Sequence, residues 1–214
     1  MARLAINWRS AERVAPDTVV TGESEAQAAA KMADAEKPMM IYITADDATD
    51  GDTRKLEDVV FANEKFAIGT KFFDTVKVTQ GHALSDRFLK EAGDAAPRIV
   101  LMSRDYKVFD VLSGSQLSAG KLLKAMSGLA RKEYVNSFDK MTRDYTKLLN
   151  ELDRLEGKRT KLVADRARLQ DKPSATKEKK LEREEAELQK EMEAWQESEK
   201  ELLAFRLAGE KAEA

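Results

Sequence analysis

Apolar residues follow a heptad repeat in the C-terminal part of this chain, and no other feature constrains its fold as strongly. They recur at alternating intervals of four and three residues, which is the spacing of the a and d positions of a coiled coil. The repeat continues to Leu169 with Arg159 and Arg166 at two of its positions. The pattern predicts a helix that runs without interruption from Ser118 to about residue 170. The first seven members of the repeat are Tyr134, Phe138, Met141, Tyr145, Leu148, Leu152 and Leu155.

A second helix is predicted to return along the first. The turn at residues 171–174 contains Pro173, which cannot continue a helix, and Ser174, which can cap the next one. Residues 175–208 are predicted to form the return helix, so that residues 133–214 make an antiparallel hairpin. A turn this short favours closure within one chain over exchange of helices between two chains. The return helix adds Leu188, Met192, Trp195, Leu202 and Phe205 to the seam, with Trp195 facing Leu152, Met192 facing Leu155, and Leu188 and Leu181 facing Arg159 and Arg166.

Residues 1–132 have the alternation of strands and helices that is typical of an α/β domain. The run Met39–Thr44 is apolar on both faces, as a central strand should be. Ser24 is a suitable cap for the first helix. The predicted strands are residues 3–8, 39–44, 72–79, 98–103 and 106–112, and the predicted helices are residues 24–33, 53–68, 83–92 and 118 onward.

Two motifs within this order resemble the thioredoxin-like fold. A strand, an acidic loop and Thr53-Arg54-Lys55-Leu56-Glu57 are similar to the branch in which Cys-x-x-Cys precedes Lys and a Leu/Met-Glu pair. The two cysteine positions fall on Asp50 and Thr53, with Gly51 and Asp52 between them. Ala96-Pro97, ahead of an apolar strand, resembles the cis-proline loop of that fold. The resemblance covers about residues 1–132 and implies a central mixed sheet flanked by helices, with a peptide-holding groove beside Asp50, Thr53 and Pro97.

The chain contains no cysteine, and this decides which chemistry the resemblance can carry. Dithiol exchange requires a thiolate nucleophile and a resolving thiol, so the isolated chain cannot perform it. The sequence contains no phosphate-binding loop, nucleophile elbow, dinucleotide fingerprint or zinc spacing. His82 is the only histidine and is expected to have an ordinary surface or loop role. We therefore expect a redox-inactive protein that is not an enzyme and has no cofactor.

The acidic loop at residues 46–52, with Glu57 further on, partly matches an EF-hand calcium loop. Position 3 of that pattern is Ala48, where an oxygen ligand is needed, and a strand rather than a helix precedes the loop. Aspartates also favour the N-terminus of the helix predicted from Thr53. We expect no metal site here, and divalent-metal binding through residues 46–57 stays an alternative.

Charge is divided unevenly along the predicted hairpin. Residues 154–180 carry ten basic and four acidic side chains, a net charge of +6, whereas residues 181–201 carry nine glutamates and three basic residues, a net charge of −6. Pairing across the seam accounts for much of this charge, but not for the bend. The basic tip favours contact with an acidic protein surface over nucleic acid, because it has no aromatic residue for base stacking. The predicted tip contacts are Arg159, Arg166, Arg168, Lys172, Lys177, Lys179 and Lys180.

Together these patterns predict a non-catalytic adaptor or assembly subunit of a larger complex, which binds protein partners through the groove and the coiled-coil arm. A holdase-like chaperone is the second alternative, and a homo-oligomer is also open. No apolar run approaches the ~20 residues that a membrane span needs, and the first residues lack a signal-peptide pattern. We therefore expect a cytoplasmic protein with no membrane partner.

Overall fold

The computed structural model describes residues 4–10, 37–45, 51–86, 89, 92–171 and 173–204. The described residues up to Asp139 form one compact unit, and those from Lys140 onward form a second. The first is an α/β unit and the second is a helical hairpin. None of the described helices combines the length and the apolar character that crossing a membrane requires.

Within its described residues, the α/β unit contains five strands and four α-helices. A π-helical turn, Leu56–Val60, follows the first of these helices, and a 3-10 turn, Gly114–Gln116, precedes the last. The strands are β1 (Arg9–Ser10), β2 (Met39–Thr44), β3 (Asp74–Thr79), β4 (Arg98–Met102) and β5 (Val108–Ser113), and the helices are α1 (Gly51–Lys55), α2 (Glu64–Thr70), α3 (Gln80–Ser85) and α4 (Ala119–Glu133).

The strands form a mixed sheet in the order β1-β3-β2-β4-β5. β1, β3 and β2 are parallel to one another, and β4 and β5 continue the sheet antiparallel. Ile41 in β2 pairs with Val76 on one side and with Val100 on the other. All six residues of β2 are buried, as expected for a strand with helices or loops against both faces.

An apolar cluster on one face of the sheet supplies much of the core of this unit. Ile41, Ile43, Val76, Val100 and Met102 contribute from the strands and are 0% exposed, and Ala83, Leu89 and Ala92 close the cluster from outside the sheet. Burial of apolar surface is the main favourable contribution to folding, so this cluster holds β4 in the sheet.

The predicted helix over residues 53–68 is wrong, because the segment is divided in two. α1 ends at Lys55, the π-helical turn follows, and α2 begins at Glu64. Asn63 is the cause of the second start, since its side chain accepts a hydrogen bond from the Phe66 backbone N–H at 3.1 Å. Asparagine is among the best helix N-caps.

The predicted strand over residues 3–8 is also wrong, since among the described residues 4–10 only Arg9–Ser10 pair with the sheet. Trp8 instead packs its ring against Tyr42 and Phe61, with ring centroids 5.5 and 5.1 Å apart. The Thr75 hydroxyl donates a hydrogen bond to the Asn7 carbonyl at 2.7 Å. These tertiary contacts replace the ladder that the alternating pattern indicates.

Other boundaries shift by smaller amounts. The helix predicted over residues 83–92 is wrong in both bounds. α3 begins at Gln80 because Thr79 caps it, and it ends at Ser85, since Asp86 is extended. β3 starts two residues later than predicted, and β5 runs from Val108 to Ser113. The predicted helix over residues 24–33 lies outside the described residues.

An uninterrupted helix from Ser118 to residue 170 is not what the chain forms. α4 ends at Glu133, Tyr134 is extended, and the next helix, α5, begins at Phe138. The Tyr134 hydroxyl donates to the Phe72 carbonyl at 2.6 Å, and Phe138 lies edge-on to Phe72 at 6.2 Å. These two heptad positions therefore belong to the core of the α/β unit and not to the arm seam.

The hairpin consists of α5 (Phe138–Asp171) and α6 (Ala175–Leu203). Pro173 and Ser174 separate them, although the Ser174 side chain makes no capping hydrogen bond. α6 ends at Leu203 rather than at residue 208, and Phe205 lies outside the described residues. The distal seam is an apolar cluster with four buried leucines and three partly buried residues, namely Leu155, Leu162, Leu181, Leu188, Leu169, Met192 and Trp195.

Candidate functional site

Pro97, which the thioredoxin resemblance singles out, directly precedes β4 at the end of the sheet where β2 finishes. Ile43 at the carboxyl end of β2 pairs with Arg98, the first residue of β4. Pro97 therefore lies at the same edge as the end of β2. The Ala96–Pro97 peptide bond is cis, and Pro97 is buried.

The remaining positions of the predicted groove are only partly described. Gly51 opens α1 and is exposed, as is Asp52, whereas Thr53 is 3% exposed. Asp50 lies outside the described residues. Thr53, at the second cysteine position of the predicted motif, has a neutral hydroxyl and supplies no disulfide chemistry.

The carboxylates near this edge do not form a metal centre within the described ranges, where no three His, Asp or Glu side chains are grouped. Asp46, Asp47 and Asp50 lie outside those ranges. Glu57, the last ligand position of the EF-hand pattern, accepts hydrogen bonds from the Tyr42 hydroxyl at 3.1 Å and from Lys77 Nζ at 3.0 Å.

The Tyr42, Glu57 and Lys77 contact was not anticipated from the sequence. Tyr42 is fully buried in β2, Lys77 is its partner in β3, and the π-helical turn delivers Glu57 to both. Lys77 Nζ lies 5.2 Å from the centre of the Tyr42 ring. A buried phenol needs a hydrogen-bond partner, so this contact ties the turn to the sheet. The only sequence signal was a tyrosine inside an apolar strand.

His82 takes part in capping α3. Its Nδ1 lies 2.7 Å from the Thr79 hydroxyl, and both side chains are exposed. Because that hydroxyl also accepts the His82 backbone N–H at 3.5 Å, the pair fixes the first turn of the helix. The geometry assigns His82 a structural contact.

The hairpin places its charges so that three basic residues of α5 meet glutamates of α6. Arg166 binds Glu185 with two parallel hydrogen bonds, from Nε at 2.9 Å and from Nη2 at 2.5 Å. Lys158 and Arg154 both reach Glu191, at 2.8 and 3.3 Å. Hydrogen bonds from Arg166 and Lys158 lower the pKa of Glu185 and Glu191, respectively. The pairing across the seam that the charge pattern favours is therefore present.

Arg159 and Arg166, which the heptad pattern placed in the seam, are both exposed. The leucines expected to face them, Leu188 and Leu181, are buried with Leu155 and Leu162. Long arginine stems can pass along apolar surface while the guanidinium stays in water, and the Arg166 head is held by Glu185. The apolar seam is thus continuous past both arginines.

The remaining tip cations are less neutralised. Among the described side chains, Arg168 and Lys180 pair only within their own helices, with Asp165 at 3.3 Å and Glu184 at 3.6 Å. Arg159, Lys177 and Lys179 form no ion pair within 4.0 Å with another described side chain. Lys172 lies outside the described residues. A groove at the tip is lined by Asp165, Arg168, Leu169, Lys177, Lys180, Leu181 and Glu184.

The other seam residues fall into two groups. Met141, Tyr145, Leu155 and Leu188 are buried, and Leu152, Met192, Trp195 and Leu202 are partly buried. The Trp195 indole N–H donates to the Leu148 carbonyl at 2.7 Å, one helical turn before the predicted partner Leu152. The Tyr145 hydroxyl donates to Glu199 at 2.6 Å. Polar contacts of aromatic side chains thus help to set the pairing near the hairpin base.

Comparison with known proteins gives no further assignment. No protein-family model matches the chain, and searches of curated proteins and of solved structures found no match.

Proposed function

We propose that this chain is a non-catalytic adaptor or assembly subunit that combines a thioredoxin-like α/β domain without a dithiol and a coiled-coil arm. The arm carries a basic surface at its tip for an acidic surface of a protein partner. The groove beside Thr53 and Pro97 is the second binding surface.

The sheet supports the thioredoxin-like part of this proposal. β2 lies at its centre with β3 parallel on one side and β4 antiparallel on the other. The β4–β5 hairpin forms one edge, and Pro97 precedes β4 directly. This arrangement agrees with a central apolar strand and a terminal hairpin preceded by a cis-proline loop.

The main support for a binding role of the arm is that several positive charges at its tip are not paired with acidic side chains of the described chain. Arg154, Lys158 and Arg166 are paired across the seam, which leaves Arg159, Lys177 and Lys179 exposed without a described ion pair. Exposed like charges repel one another at short range. Binding of an acidic surface to them is therefore electrostatically favourable. Complementary charge raises the rate of association and selects the partner.

The proposal is tested in the full chain with a charge-matched pair of triple variants. The tip variant replaces Lys177, Lys179 and Lys180 by Gln, which removes three charges and preserves helix propensity. The control replaces Arg183, Lys190 and Lys200 by Gln, in the acidic part of the same helix. Each protein is crosslinked in extracts of the native source, and the captured partners are then purified and their affinities measured at 50 and 300 mM NaCl.

We expect the control to retain its acidic partner and the tip variant to lose about tenfold or more in affinity at low salt, because screening weakens exposed ion pairs. Equal affinity of both variants would overturn the assignment of the tip and leave the groove as the binding surface. A truncated chain for the same assay should end after Asp139, not after Glu133, since Tyr134 and Phe138 pack within the α/β unit.

The alternatives receive less support from the described residues. A holdase requires exposed apolar surface, and Val163 is the only large hydrophobic residue of the described hairpin that is strongly exposed. A metal-binding role through residues 46–57 loses support because Glu57 already accepts two hydrogen bonds. Calorimetry with Ca²⁺ and Mg²⁺ tests it directly, and heat that saturates at millimolar ion or below would revive it.

A further inference from the structure

A groove of about 400 Å³ lies on one side of the hairpin, between α5 and α6. Its apolar lining consists of Leu162 and Val163 from α5 and of Leu188 and Met192 from α6. Leu162 and Leu188 are buried in the seam, whereas Val163 is 64% exposed. Part of this apolar lining is therefore accessible to another molecule.

Two side chains of opposite charge also line the groove, Arg159 from α5 and Glu193 from α6. Both are exposed, and neither forms an ion pair within 4.0 Å with another described side chain. Gln189 donates one hydrogen bond to Glu193 at 2.8 Å. Glu185, a further lining residue, is already paired with Arg166. Within the described hairpin, the groove thus presents one cation and one anion that are available for ion pairs.

The positions of these two charges along the arm are related by a two-fold rotation. Arg159 precedes Pro173 by 14 residues and Glu193 follows Ser174 by 19, which puts them about 21 and about 28 Å from the turn. The midpoint, about 25 Å from the turn, is close to the middle of α5, whose 34 residues span about 51 Å. A two-fold axis through this point, perpendicular to the arm, places Arg159 of one copy beside Glu193 of the other. The reciprocal contact then forms by symmetry.

The charge along the arm favours the same antiparallel alignment of two copies. Residues 166–180, around the turn, carry six basic and two acidic side chains, a net charge of +4. Residues 140–153 and 194–203, at the base, together carry four basic and six acidic side chains, a net charge of −2. An antiparallel pair brings the positive end of each arm beside the negative end of the other, whereas a parallel pair brings two positive ends together.

We propose that this groove is the binding surface for a second copy of the chain, and that two hairpins pair antiparallel with their grooves face to face. The apolar lining of both grooves is then covered, and an ion pair between Arg159 and Glu193 forms on each side of the two-fold axis. The tip lysines on which the proposed function depends do not line this groove, so either proposal can fail without the other.

Sedimentation velocity of the full chain, over a hundredfold range of concentration, measures the Kd of the dimer. We expect wild type to be mainly monomeric at the lowest concentration and dimeric at the highest. Arg159→Glu and Glu193→Arg each bring like charges together at both symmetric contacts, so each should weaken the dimer about tenfold or more. The double variant restores opposite charges and should recover the wild-type Kd to within about threefold. Lys161→Glu is the matched control, because it reverses a charge two residues from Arg159, on another side of α5, and should leave the Kd unchanged.

The absence of cysteine from the chain allows the orientation to be tested separately. Gln189→Cys places a single thiol in the groove, about 22 Å from the turn and so close to the proposed axis. Gln170→Cys places it three residues before Pro173. In the antiparallel dimer, a short bismaleimide should crosslink two chains through the first thiol. It should not crosslink them through the second, whose symmetry mate lies about 40 Å away along the arm.

The proposal is supported if both charge reversals weaken the dimer, the double variant recovers it and crosslinking occurs at position 189. A chain that stays monomeric over the whole range would overturn it and leave the groove to a different protein. A dimer that ignores both reversals, or that crosslinks at position 170 but not at 189, would overturn it as well. Circular dichroism checks that each variant keeps its helices, and the wild-type and cysteine measurements decide the question even if a charge reversal does not fold.

Discussion

The α/β unit and the hairpin are stabilised in different ways. In the α/β unit, β2 is buried along its whole length and an apolar cluster covers one face of the sheet. In the hairpin, the distal seam is a narrow row of four buried leucines with Leu169, Met192 and Trp195 beside them, and most other residues of the distal helix segments are exposed. The α/β unit therefore has a larger nonpolar core, whereas the hairpin, with one narrow apolar seam, depends to a greater extent on polar contacts between its helices.

Those polar contacts specify how the two helices align. The Trp195 indole on the Leu148 carbonyl, the Tyr145 hydroxyl on Glu199 and the Arg166–Glu185 pair each join residues far apart in sequence. A row of similar leucines alone permits alignments shifted by one heptad, and unique polar contacts exclude them. The hairpin should therefore respond to salt and pH more than the α/β unit does.

The largest effect is expected from Ile41→Ala in the α/β unit. Ile41 is fully buried between β3 and β4, and removal of such a side chain costs about 2–5 kcal/mol through lost burial and the resulting cavity. Urea unfolding followed by tryptophan fluorescence measures the change. Val59→Ala, at a 64% exposed position, is the control and should stay within about 0.5 kcal/mol of wild type. Equal effects at both positions would contradict the description of the core.

Leu155→Ala makes the corresponding change in the hairpin. Leu155 is 1% exposed, so its truncation should also be costly, although two helices can close around a gap more easily than a sheet core can. We expect about 2–3 kcal/mol, seen as a lower midpoint of the helical transition by circular dichroism at 222 nm. Val163→Ala, 64% exposed in the same helix, should leave the midpoint unchanged. A loss as large as that of Ile41→Ala would remove the distinction between the two units.

Two tyrosine-to-phenylalanine variants compare one hydrogen bond in each unit. Tyr134→Phe removes the bond to the Phe72 carbonyl in the α/β unit, and Tyr145→Phe removes the bond to Glu199 in the hairpin. Tyr134→Phe leaves a buried carbonyl without this donor, so we expect it to cost about 1–2 kcal/mol and Tyr145→Phe about 1 kcal/mol. Denaturant unfolding with a fluorescence probe for the first unit and circular dichroism for the second measures each. A larger loss for Tyr145→Phe would reverse the expected order.

The same phenols make the folded protein sensitive to alkali. Burial raises the pKa of both Tyr134 and Tyr145 above the ordinary value. The stability that depends on their protonated form is complete below the unfolded pKa of about 10. It is lost as pH rises further, because the unfolded chain releases these protons first. Absorbance at 295 nm should show fewer titrating tyrosines in the folded protein than in urea.

The sequence predicted those strands, helices and turns that depend on neighbouring residues in the chain. The apolar run of β2, the β4–β5 hairpin and the turn at Pro173 lie close to where the sequence indicates. Tyr134 fits the heptad by spacing, yet packs on Phe72, because periodicity does not reveal which surface a residue contacts. Val135, Asn136 and Ser137 have low helix propensity and were the available signal for the break.

Contacts between distant residues account for what was missed at the sites. Glu57 reaches Tyr42 and Lys77 only because a π-helical turn changes the direction of its side chain. Arg98 appears in the sequence as one cation before an apolar strand, and nothing local indicates that it is buried, with its Nη1 donating to the Gln80 side-chain oxygen and the Ala95 carbonyl. Burial and hydrogen-bond satisfaction are properties of the folded chain.

The smallest effect should appear on acidification and should be confined to the hairpin. Hydrogen bonds from Arg166 and Lys158 hold the pKa of Glu185 and Glu191 below the ordinary value of 4.5. A carboxylate with a lowered pKa contributes stability above pH 4.5, and the contribution is lost as pH falls through the folded pKa. Because both glutamates are partly exposed, we expect a shallow decrease in helicity below pH 4.5 that 0.5 M NaCl reduces. Carboxyl ¹³C NMR titration of wild type and Arg166→Gln measures the two pKa values. In the variant, the pKa of Glu185 should return to the ordinary value, and the pKa of Glu191 should not change. A change in both pKa values would mean that the two ion pairs are coupled along the seam.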